Sequence, residues 1–373
     1  MAVPFIDLKR FEPGFLDAWN ARVAQMSLNA QFIGGAVIEQ LEQRLSVACE
    51  VSHAVTCANG TDAIQLALRA LGVGRGDVVL VPDLTFWATF EAVVNVGADP
   101  VTVDCRRDDQ SLSIDRVREA LQTYQPKAVI VVHLYGWGSQ HLQALRSLCR
   151  EQGVALLEDA AQAWGVRLDG QSIMQGAHIA TTSFYPAKVL GAAGDGGAVF
   201  CQDEALAASV RSLANHGRVA HYGHGVVGWN SRMDALQAAF VDLSLQHVQA
   251  RVIARRASAD RYRRELAALA PRLQVIAAPA GYEENGYCNV CLVDDAADKL
   301  ALESALKAAG IGFGNIYPSP MSAQPGAQAY LKGKVGGADA AWLCSHVLNL
   351  PLFPYMRDDE LGEVIALVRK TLS

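Results

Sequence analysis

The sequence of 373 residues has no excess of basic residues and no apolar run long enough to cross a membrane. Its 32 lysines and arginines are outnumbered by 38 aspartates and glutamates, so the formal net charge is −6. Apart from a short run between Arg251 and Arg264, the basic residues form no stripe of the kind that binds nucleic acid. The opening residues do not have the layout of a signal peptide. We therefore expect a cytoplasmic protein that binds neither nucleic acid nor membrane.

The eight cysteines are scattered along the chain and give no metal-binding pattern. Cys288 and Cys291 have C-x-x-C spacing, but they lie in GYCNVCLV, which is predicted to be a strand. Residues three apart in a strand point to opposite faces, so these two thiols are not expected to share a metal or a disulfide. We predict reduced thiols and no metal site.

Motifs of several common enzyme classes are also missing. The glycines after Lys188 are not in G-x-G-x-x-G order, and G-x-x-x-x-G-K-[ST] does not occur in the chain. These absences argue against a dinucleotide site at these glycines and against a P-loop. G-x-S-x-G does not occur either, which weakens a hydrolase interpretation.

Short apolar runs alternate with helical patterns between about residues 50 and 200. Seven of these runs predict strands: HAVTCANG, GDVVLVP, DPVTVDC, KAVIVVHLYG, VALLEDAA, ATTSFYP and GAVFC. This alternation predicts an α/β fold with a largely parallel sheet between two layers of helices. Ligands of such sheets bind at the carboxyl ends of the strands.

The second half of the chain has a different pattern. Residues 231–267 are predicted to form one long helix that leaves a first domain and enters a second. The remainder, up to Ser373, has the mixed pattern of a smaller α+β domain. We place the large domain at residues 1–250, including an N-terminal arm, and the small C-terminal domain at residues 251–373.

Polar residues follow three of the predicted strands. In ANGTDA, Gly60 permits a tight turn and Thr61 opens a helix, so the turn is either a plain helix cap or a phosphate seat. In VPDLTFWAT, Phe86 either packs in the core or stacks on a flat ligand. LLEDAAQAWG delivers Glu158 and Asp159 to a strand end, where only one of them can face a given side. Asp159 could alternatively cap the next helix.

Lys188 follows a fourth strand in SFYPAKVLGAAGDGG, with no charged residue within six positions on either side. A lone lysine usually faces solvent. In apolar surroundings, however, the ammonium form is disfavoured and the amine becomes a better nucleophile. The chain thus presents a phosphate seat, an aromatic ring, a carboxylate and a lysine, in that order. Pyridoxal phosphate needs these four partners, with the lysine forming a Schiff base.

A set of long motifs extends this pattern over nearly the whole chain: NGTDAIQLAL, VPDLTFWAT, VHLYG, EDAAQAWG, SFYPAKVLGAAGDGG, ANHGR, GWNSRMDALQAA and NLPLFP. In these motifs the sequence resembles the DegT/StrS family of aminotransferases, which act on nucleotide-linked keto sugars. The resemblance implies a fold-type I pyridoxal-phosphate transferase with a mixed, mostly parallel sheet. It also implies a homodimer with shared active sites.

The resemblance implies a role for each matching residue. Lys188 would bind the cofactor covalently and then move protons, and Asp159 would pair with the pyridinium nitrogen. Gln162 would lie by the ring hydroxyl and Phe86 on the ring face. The remaining implied cofactor ligands are Gly60, Thr61 and Ser183 for the phosphate, with Asn230 reaching the phosphate of the neighbouring subunit. Arg232 and Tyr317 would contact the substrate.

Two positions depart from the family pattern. Ser322 and Asn289 stand near places where many relatives carry a histidine. We expect both stretches to lie near the sugar in the small domain, which leaves the identity of the sugar open.

The implied activity is transfer of the amino group of L-glutamate, which becomes 2-oxoglutarate, to a 3- or 4-keto-6-deoxyhexose type of nucleotide sugar. The product would serve surface polysaccharide such as O-antigen, or a glycosylated natural product. Three alternatives remain open: a dehydratase of the same family, a keto-cyclitol aminotransferase, and a cofactor-binding sensor without turnover. The dehydratase branch usually replaces the lysine, whereas Lys188 is present here.

Overall fold

The computed structural model describes residues 2–373. In chain order, the strands of this part are β1 (His53–Cys57), β2 (Val78–Pro82), β3 (Asp99–Val103), β4 (Ala128–Val132), β5 (Ala155–Asp159), β6 (Arg167–Leu168), β7 (Gln171–Ser172), β8 (Ile179–Ser183), β9 (Gly197–Cys201), β10 (Leu273–Val275), β11 (Tyr282–Glu283), β12 (Cys291–Val293), β13 (Gly333–Val335) and β14 (Val347–Leu348). The α-helices are α1 (Phe15–Leu28), α2 (Ala36–Cys49), α3 (Gly60–Ala70), α4 (Trp87–Asn95), α5 (Ile114–Tyr124), α6 (Leu142–Glu151), α7 (Glu204–Ala214), α8 (Ala235–Leu245), α9 (Val248–Leu266), α10 (Ala296–Ala308), α11 (Ala338–His346) and α12 (Asp358–Thr371).

The main sheet has eight strands in the order β1-β9-β8-β5-β4-β2-β3-β13. Strand β9 is antiparallel to β1 and β8, and the other neighbours are parallel. All seven predicted strands lie in this sheet, which confirms the predicted α/β class with a mixed, mostly parallel sheet. The eighth strand, β13, was not predicted, because a three-residue segment gives too little periodicity to be recognised.

Helices cover both faces of this sheet because both faces are apolar. One buried cluster contains Ile64 of α3, Phe90 of α4 and Val210 of α7. The other contains Leu45 of α2 and Leu145 of α6, together with residues of α5 and α8. Strand β4 is buried along its whole length, as expected for a parallel strand between two helical layers.

A third apolar cluster lies in the C-terminal part of the chain. It joins residues of α9, α10 and α12 to the small antiparallel sheet β10-β12-β14 and also includes Val3 from the N-terminus. Strand β13 returns from this part of the chain to pair with β3 of the main sheet. The domain division near residue 250 stays a prediction.

The structure corrects two predicted elements. The single helix over residues 231–267 is wrong, because α8 ends at Leu245 and α9 begins at Val248. No glycine or proline marks this break, and His247 packs its ring against Phe15 there, so tertiary packing determines it. The strand predicted for GYCNVCLV is limited to Cys291–Val293. Among the described residues, we find no helix with the length and apolar character that crossing a bilayer requires.

Candidate active site

The carboxyl ends of β1, β5 and β8 meet at one edge of the sheet, where a cavity of about 680 Å³ opens. Strand β1 is antiparallel to β9, which is antiparallel to β8, so all three strands run the same way. Eight of the ten predicted site residues line the cavity: Gly60, Thr61, Phe86, Asp159, Gln162, Ser183, Lys188 and Tyr317. The fold therefore brings together residues that are far apart in the sequence.

The start of α3 forms one wall of this cavity. Asn59 caps the helix by accepting a hydrogen bond from the Asp62 N–H at 2.8 Å. Within the described residues, the N–H groups of Gly60 and Thr61 have no partner, and the helix dipole adds partial positive charge there. A Cβ on Gly60 would lie 2.6 Å from Cβ of Ser183, so only glycine permits this close approach. Unpaired N–H groups at a helix start have the chemistry to bind an anion.

Asp62 holds the start of α3 in position through a link to Ser231. Its carboxylate accepts a hydrogen bond from the Ser231 hydroxyl at 2.6 Å, and Ser231 accepts one from the Ala58 N–H at 3.3 Å. Ser231 is fully buried. The sequence gives no signal of this link, because a buried serine in NSR has no distinguishing pattern.

Asp159 is the last residue of β5 and is buried beside the cavity. Its carboxylate accepts the Ala161 N–H at 2.9 Å, and no cation forms an ion pair with it within the described residues. Burial raises the pKa of Asp159, although the Ala161 N–H and the more distant charge of Lys188 act in the opposite direction. The site therefore holds a carboxylate that lacks a directly bound cation.

The preceding residue, Glu158, faces the other side of the sheet and is fully buried. Arg146 donates two hydrogen bonds to its carboxylate, at 2.7 and 2.9 Å, and Nε2 of His133 lies 3.1 Å away. Burial works against the charged form, but the bonds from His133 and Arg146 outweigh it and hold the pKa of Glu158 below its usual range. The expectation that only one of the two carboxylates faces the ligand side agrees with this geometry.

Gln162 and Tyr317 form a hydrogen-bonded pair across the cavity. Gln162 accepts the Tyr135 N–H through Oε1 at 2.6 Å and donates from Nε2 to the Tyr317 hydroxyl at 2.9 Å. The Phe86 ring is half-exposed, with its centroid 6.1 Å from that of Tyr317. Phe86 thus lines the cavity and is not a core residue.

Lys188 is half-buried, and its closest polar neighbour is Tyr287. Nζ lies 3.5 Å from the Tyr287 hydroxyl and 5.1 Å from the ring centroid. Tyr287 also lines the cavity, yet sequence reasoning missed it because it lies in a segment predicted to be a strand. The isolation of Lys188 in the sequence corresponds to an amine that has no acidic side chain bonded to it in the described structure.

Asn230 and Arg232 lie outside this cavity in the single chain. Asn230 is exposed and forms an isolated bridge with Asn215, whereas Arg232 donates to the Asn215 side chain at 2.8 Å. Arg232 lines a separate cavity of about 240 Å³ beside Glu42. Their predicted roles require a second subunit and stay predictions.

Ser322 and Asn289 do not themselves line the cavity, although Tyr317 and Tyr287 of the same two stretches do, so the expected position of these stretches near the sugar stays a prediction. Ser322 donates to the buried Asp83 at 2.9 Å and accepts from Lys334 at 2.8 Å. Asn289 accepts from the Cys291 thiol and, through its carbonyl, from Asn349. Both side chains are bound within the protein, so they hold neighbouring segments together.

The cysteines form no bonds with one another. All eight are buried free thiols, and Cys288 and Cys291 belong to different apolar clusters. Burial raises the pKa of Cys288 to about 12. In residues 2–373, no three His, Cys, Asp or Glu side chains are grouped as a metal site requires.

Comparison with known proteins agrees with this geometry. The model of the DegT/DnrJ/EryC1/StrS aminotransferase family matches residues 17–369. The chain is 38% identical to UDP-N-acetyl-3-dehydro-α-D-glucosamine 3-aminotransferase of Acidithiobacillus ferrooxidans, over 100% of this chain and 98% of that protein. It is 36% identical to UDP-2-acetamido-2-deoxy-3-oxo-D-glucuronate aminotransferase of Pseudomonas aeruginosa, over 95% and 96% of the two chains.

Among solved structures, the fold matches DesV of S. venezuelae with a TM-score of 0.93 and 34% identity, covering 100% of this chain and 99% of that chain. The earlier resemblance and the fold-type I assignment are both confirmed. The chain belongs to the DegT/DnrJ/EryC1/StrS aminotransferase family, and it is an aminotransferase that uses pyridoxal phosphate.

Proposed function

We propose that the chain transfers the amino group of L-glutamate to the ketone of a nucleotide-linked sugar and releases 2-oxoglutarate. The observation that carries this proposal is one cavity that combines the Lys188 amine, the Asp159 carboxylate and the anion seat at Gly60 and Thr61. The two relatives described above are named for UDP sugars with a carbonyl at carbon 3. We therefore assign a carbon-3 ketone to the substrate, in amino-sugar synthesis for a surface polysaccharide or a glycosylated natural product.

The cavity fits pyridoxal phosphate on two observations of this structure. The unpartnered N–H groups of Gly60 and Thr61, with the Ser183 hydroxyl close by, would hold the phosphate. Asp159 would receive the protonated ring nitrogen, because it is a buried carboxylate without an ion-pair partner. The remaining proposed cofactor residues are Gln162 for the ring hydroxyl, Phe86 for the ring face and Lys188 for the aldehyde. When bound, pyridoxal phosphate supplies a carbonyl that takes up the amino group and a ring that withdraws electrons.

The side chains around that ring do the rest of the chemistry. Asp159 stays ionised when a cationic N–H approaches it, because the opposite charge offsets the cost of its burial. Lys188, as an amine, takes the proton from the α-carbon of glutamate and returns a proton to carbon 3 of the sugar. Its neighbour Tyr287 keeps Nζ in place over the cavity. Tyr317, fixed by Gln162, would contact the sugar.

We also propose a cytoplasmic homodimer in which each site uses residues of both subunits. The segment between His216 and Asn230 carries exposed apolar side chains, including Val219 at 71%, Tyr222 at 89% and Val227 at 84%. Phe32 and Ile33 are exposed as well. A monomer rarely leaves so many large apolar groups in water, so a partner surface is expected to cover them. Asn230, and Arg232 beside it, would then reach the partner's cavity.

The substrate assignment is tested with the purified, cofactor-loaded enzyme. Glutamate and a UDP-linked 2-acetamido-3-keto sugar should give 2-oxoglutarate and the nucleotide-linked amino sugar, identified by mass spectrometry. Parallel reactions contain a 4-keto nucleotide sugar and a keto-cyclitol. Faster amination of either of these would overturn the carbon-3 assignment. If glutamate alone fails to change the visible spectrum of the bound cofactor, the proposed donor is wrong.

The shared site is tested by co-expressing Lys188→Ala and Asn230→Ala subunits. Random pairing makes half of the dimers mixed, and each mixed dimer has one intact site. About a quarter of parental activity should therefore return, although each variant alone is nearly inactive. Activity equal to the mean of the two single variants would place Asn230 in the site of its own chain.

A further inference from the structure

A second cavity, of about 640 Å³, lies at the opposite edge of the main sheet from Lys188. Its walls include Lys127, Val154 and His178, which precede the amino ends of β4, β5 and β8. None of its lining residues lines the Lys188 cavity. Four basic residues and no acidic residue line it among the described residues: Lys127, Arg146, Arg150 and His178.

Arg146 connects this cavity to the interior of the protein. Its side chain is 7% exposed, and its Nε and Nη2 atoms bind Glu158 and the carbonyl of Ile173. In the described part of the chain, Nη1 has no hydrogen-bond partner. Nη1 lies 3.4 Å from where a Cβ on Gly176 would be, and Gly176 lines the cavity. The guanidinium is already held in place by these bonds, and it presents an unused donor at the cavity wall. Ligand binding there therefore costs little additional side-chain entropy.

The charge balance of the cavity favours an anion. Glu158 neutralises Arg146, and Lys127 shares its charge with Asp77 at 3.1 Å. Arg150 has no ion pair and no side-chain hydrogen bond in residues 2–373, and the same holds for His178. The cavity therefore has at least one uncompensated positive charge and several donors, a combination that suits a phosphate group.

The size of the cavity indicates more than an inorganic ion. Leu71, Val154 and Leu156 give it apolar walls next to the basic residues. Cavities of roughly 300–1,000 Å³ hold organic ligands, with apolar walls for the body and a few polar groups for orientation. A phosphate with an attached organic group of nucleoside size would use both parts of this lining.

We propose that this cavity is a second ligand site that binds a phosphate-bearing small molecule of nucleoside monophosphate size. The phosphate is bound by Arg146, Arg150 and His178, and the organic part packs against Leu71 and Val154. The site lies apart from the amino-transfer cavity and does not depend on the substrate assigned to it.

The test is calorimetric titration of the cofactor-loaded enzyme, whose own phosphate seat is filled, with inorganic phosphate and with UMP. Arg150→Glu reverses the uncompensated charge at an exposed position in the last turn of α6, where we expect the fold to be retained. Arg118→Glu is the matched control, because Arg118 is also exposed on an outer helix and lies outside the cavity. We expect saturable phosphate binding and tighter UMP binding. Arg150→Glu should weaken both at least tenfold, and Arg118→Glu should leave both within twofold.

If UMP also binds in the amino-transfer cavity, the titration shows a second class of sites. Arg150→Glu should leave UMP binding to that class unchanged. His178→Ala provides an independent variant and should weaken phosphate binding about threefold. Absence of saturable phosphate binding, equal effects of Arg150→Glu and Arg118→Glu, or UMP binding no tighter than phosphate would each overturn the proposal.

Discussion

Glu158 and Asp159 are adjacent carboxylates on one strand, both buried, yet their surroundings are opposite. Glu158 has a bidentate bond from Arg146 and a contact with His133, and its pKa is held below the usual range. Asp159 has one backbone N–H and the Thr89 hydroxyl as donors but no ion pair in the described chain, and burial raises its pKa. The protein balances the charge of Glu158 with Arg146, but it supplies no ion-pair partner for Asp159 in the described chain.

This difference distinguishes a carboxylate that is paired within the protein from one that is available to a ligand. Removing a carboxylate from water is costly, so a buried acid normally has a cation or several donors beside it. An acid that lacks them stabilises a ligand that supplies the missing positive charge. For Asp159 we propose that this charge is the protonated ring nitrogen of pyridoxal phosphate, whereas for Glu158 it is already present as Arg146.

The largest expected effect is on stability, from Glu158→Gln. The amide cannot balance the charge of Arg146, which stays buried with Glu158 removed. We expect a loss of about 3–5 kcal/mol in the free energy of unfolding, measured in urea with the cofactor-free protein. The matched control is Glu119→Gln, whose ion pair with Arg116 is about half exposed and should cost under about 1 kcal/mol. Equal losses in the two variants would contradict the buried-pair interpretation.

The same pair predicts a pH dependence. Because the folded pKa of Glu158 lies below its ordinary value of 4.5, its contribution is fully present above pH 4.5 and is lost as pH falls through the folded pKa. The contribution of Glu158 to the stability difference between the parent and Glu158→Gln should therefore be fully present above pH 4.5 and shrink in more acidic solution. A difference that grows on acidification would show that another group is responsible.

The next effect is on catalysis, from Asp159→Asn. Asparagine keeps an oxygen for the Ala161 N–H but cannot hold a proton on the ring nitrogen. We expect the variant to retain its cofactor and to lose roughly 10²–10³ in rate, the scale of one lost electrostatic stabiliser in an enclosed site. The measurement is the glutamate half-reaction in the visible spectrum, with cofactor content as the control. An unchanged rate would return Asp159 to a capping role.

The sequence predicts the main sheet well because its strands are continuous apolar runs bounded by Gly, Pro and Asp. It also predicts that one of Glu158 and Asp159 faces the ligand, but periodicity alone does not tell which. That choice depends on Arg146, whose position in a helix among Leu145, Leu148 and Cys149 carries no signal of an ion pair.

The C-terminal part was predicted less well. Strand β13 is three residues long, and the break between α8 and α9 depends on a contact of His247 with Phe15. The Ser322 hydroxyl binds Asp83 and Lys334, contacts that no local pattern predicts. In each case a long-range contact decides the structure, and local patterns do not record such contacts.

The smallest expected effect is a gain of stability, from Asp159→Asn in the cofactor-free protein. The folded pKa of Asp159 is raised, so the folded state binds its proton more tightly than the unfolded state does. The stability of the parent should then fall as pH rises from the ordinary value of 3.8 through the folded pKa. Asparagine has no proton to lose, so the variant should not share that fall.

At neutral pH, cofactor-free Asp159→Asn should therefore exceed the parent by on the order of 1 kcal/mol, the scale of one polar change at a buried site. The advantage should vanish below pH 3.8, where Asp159 is protonated in both states. Urea unfolding across this pH range provides the measurement. With the cofactor bound, the parent should be more stable than Asp159→Asn at neutral pH, because only the aspartate gains the ring nitrogen as a partner. If the parent is the more stable protein both with and without cofactor, Asp159 has an unrecognised partner within the protein, and the contrast with Glu158 fails.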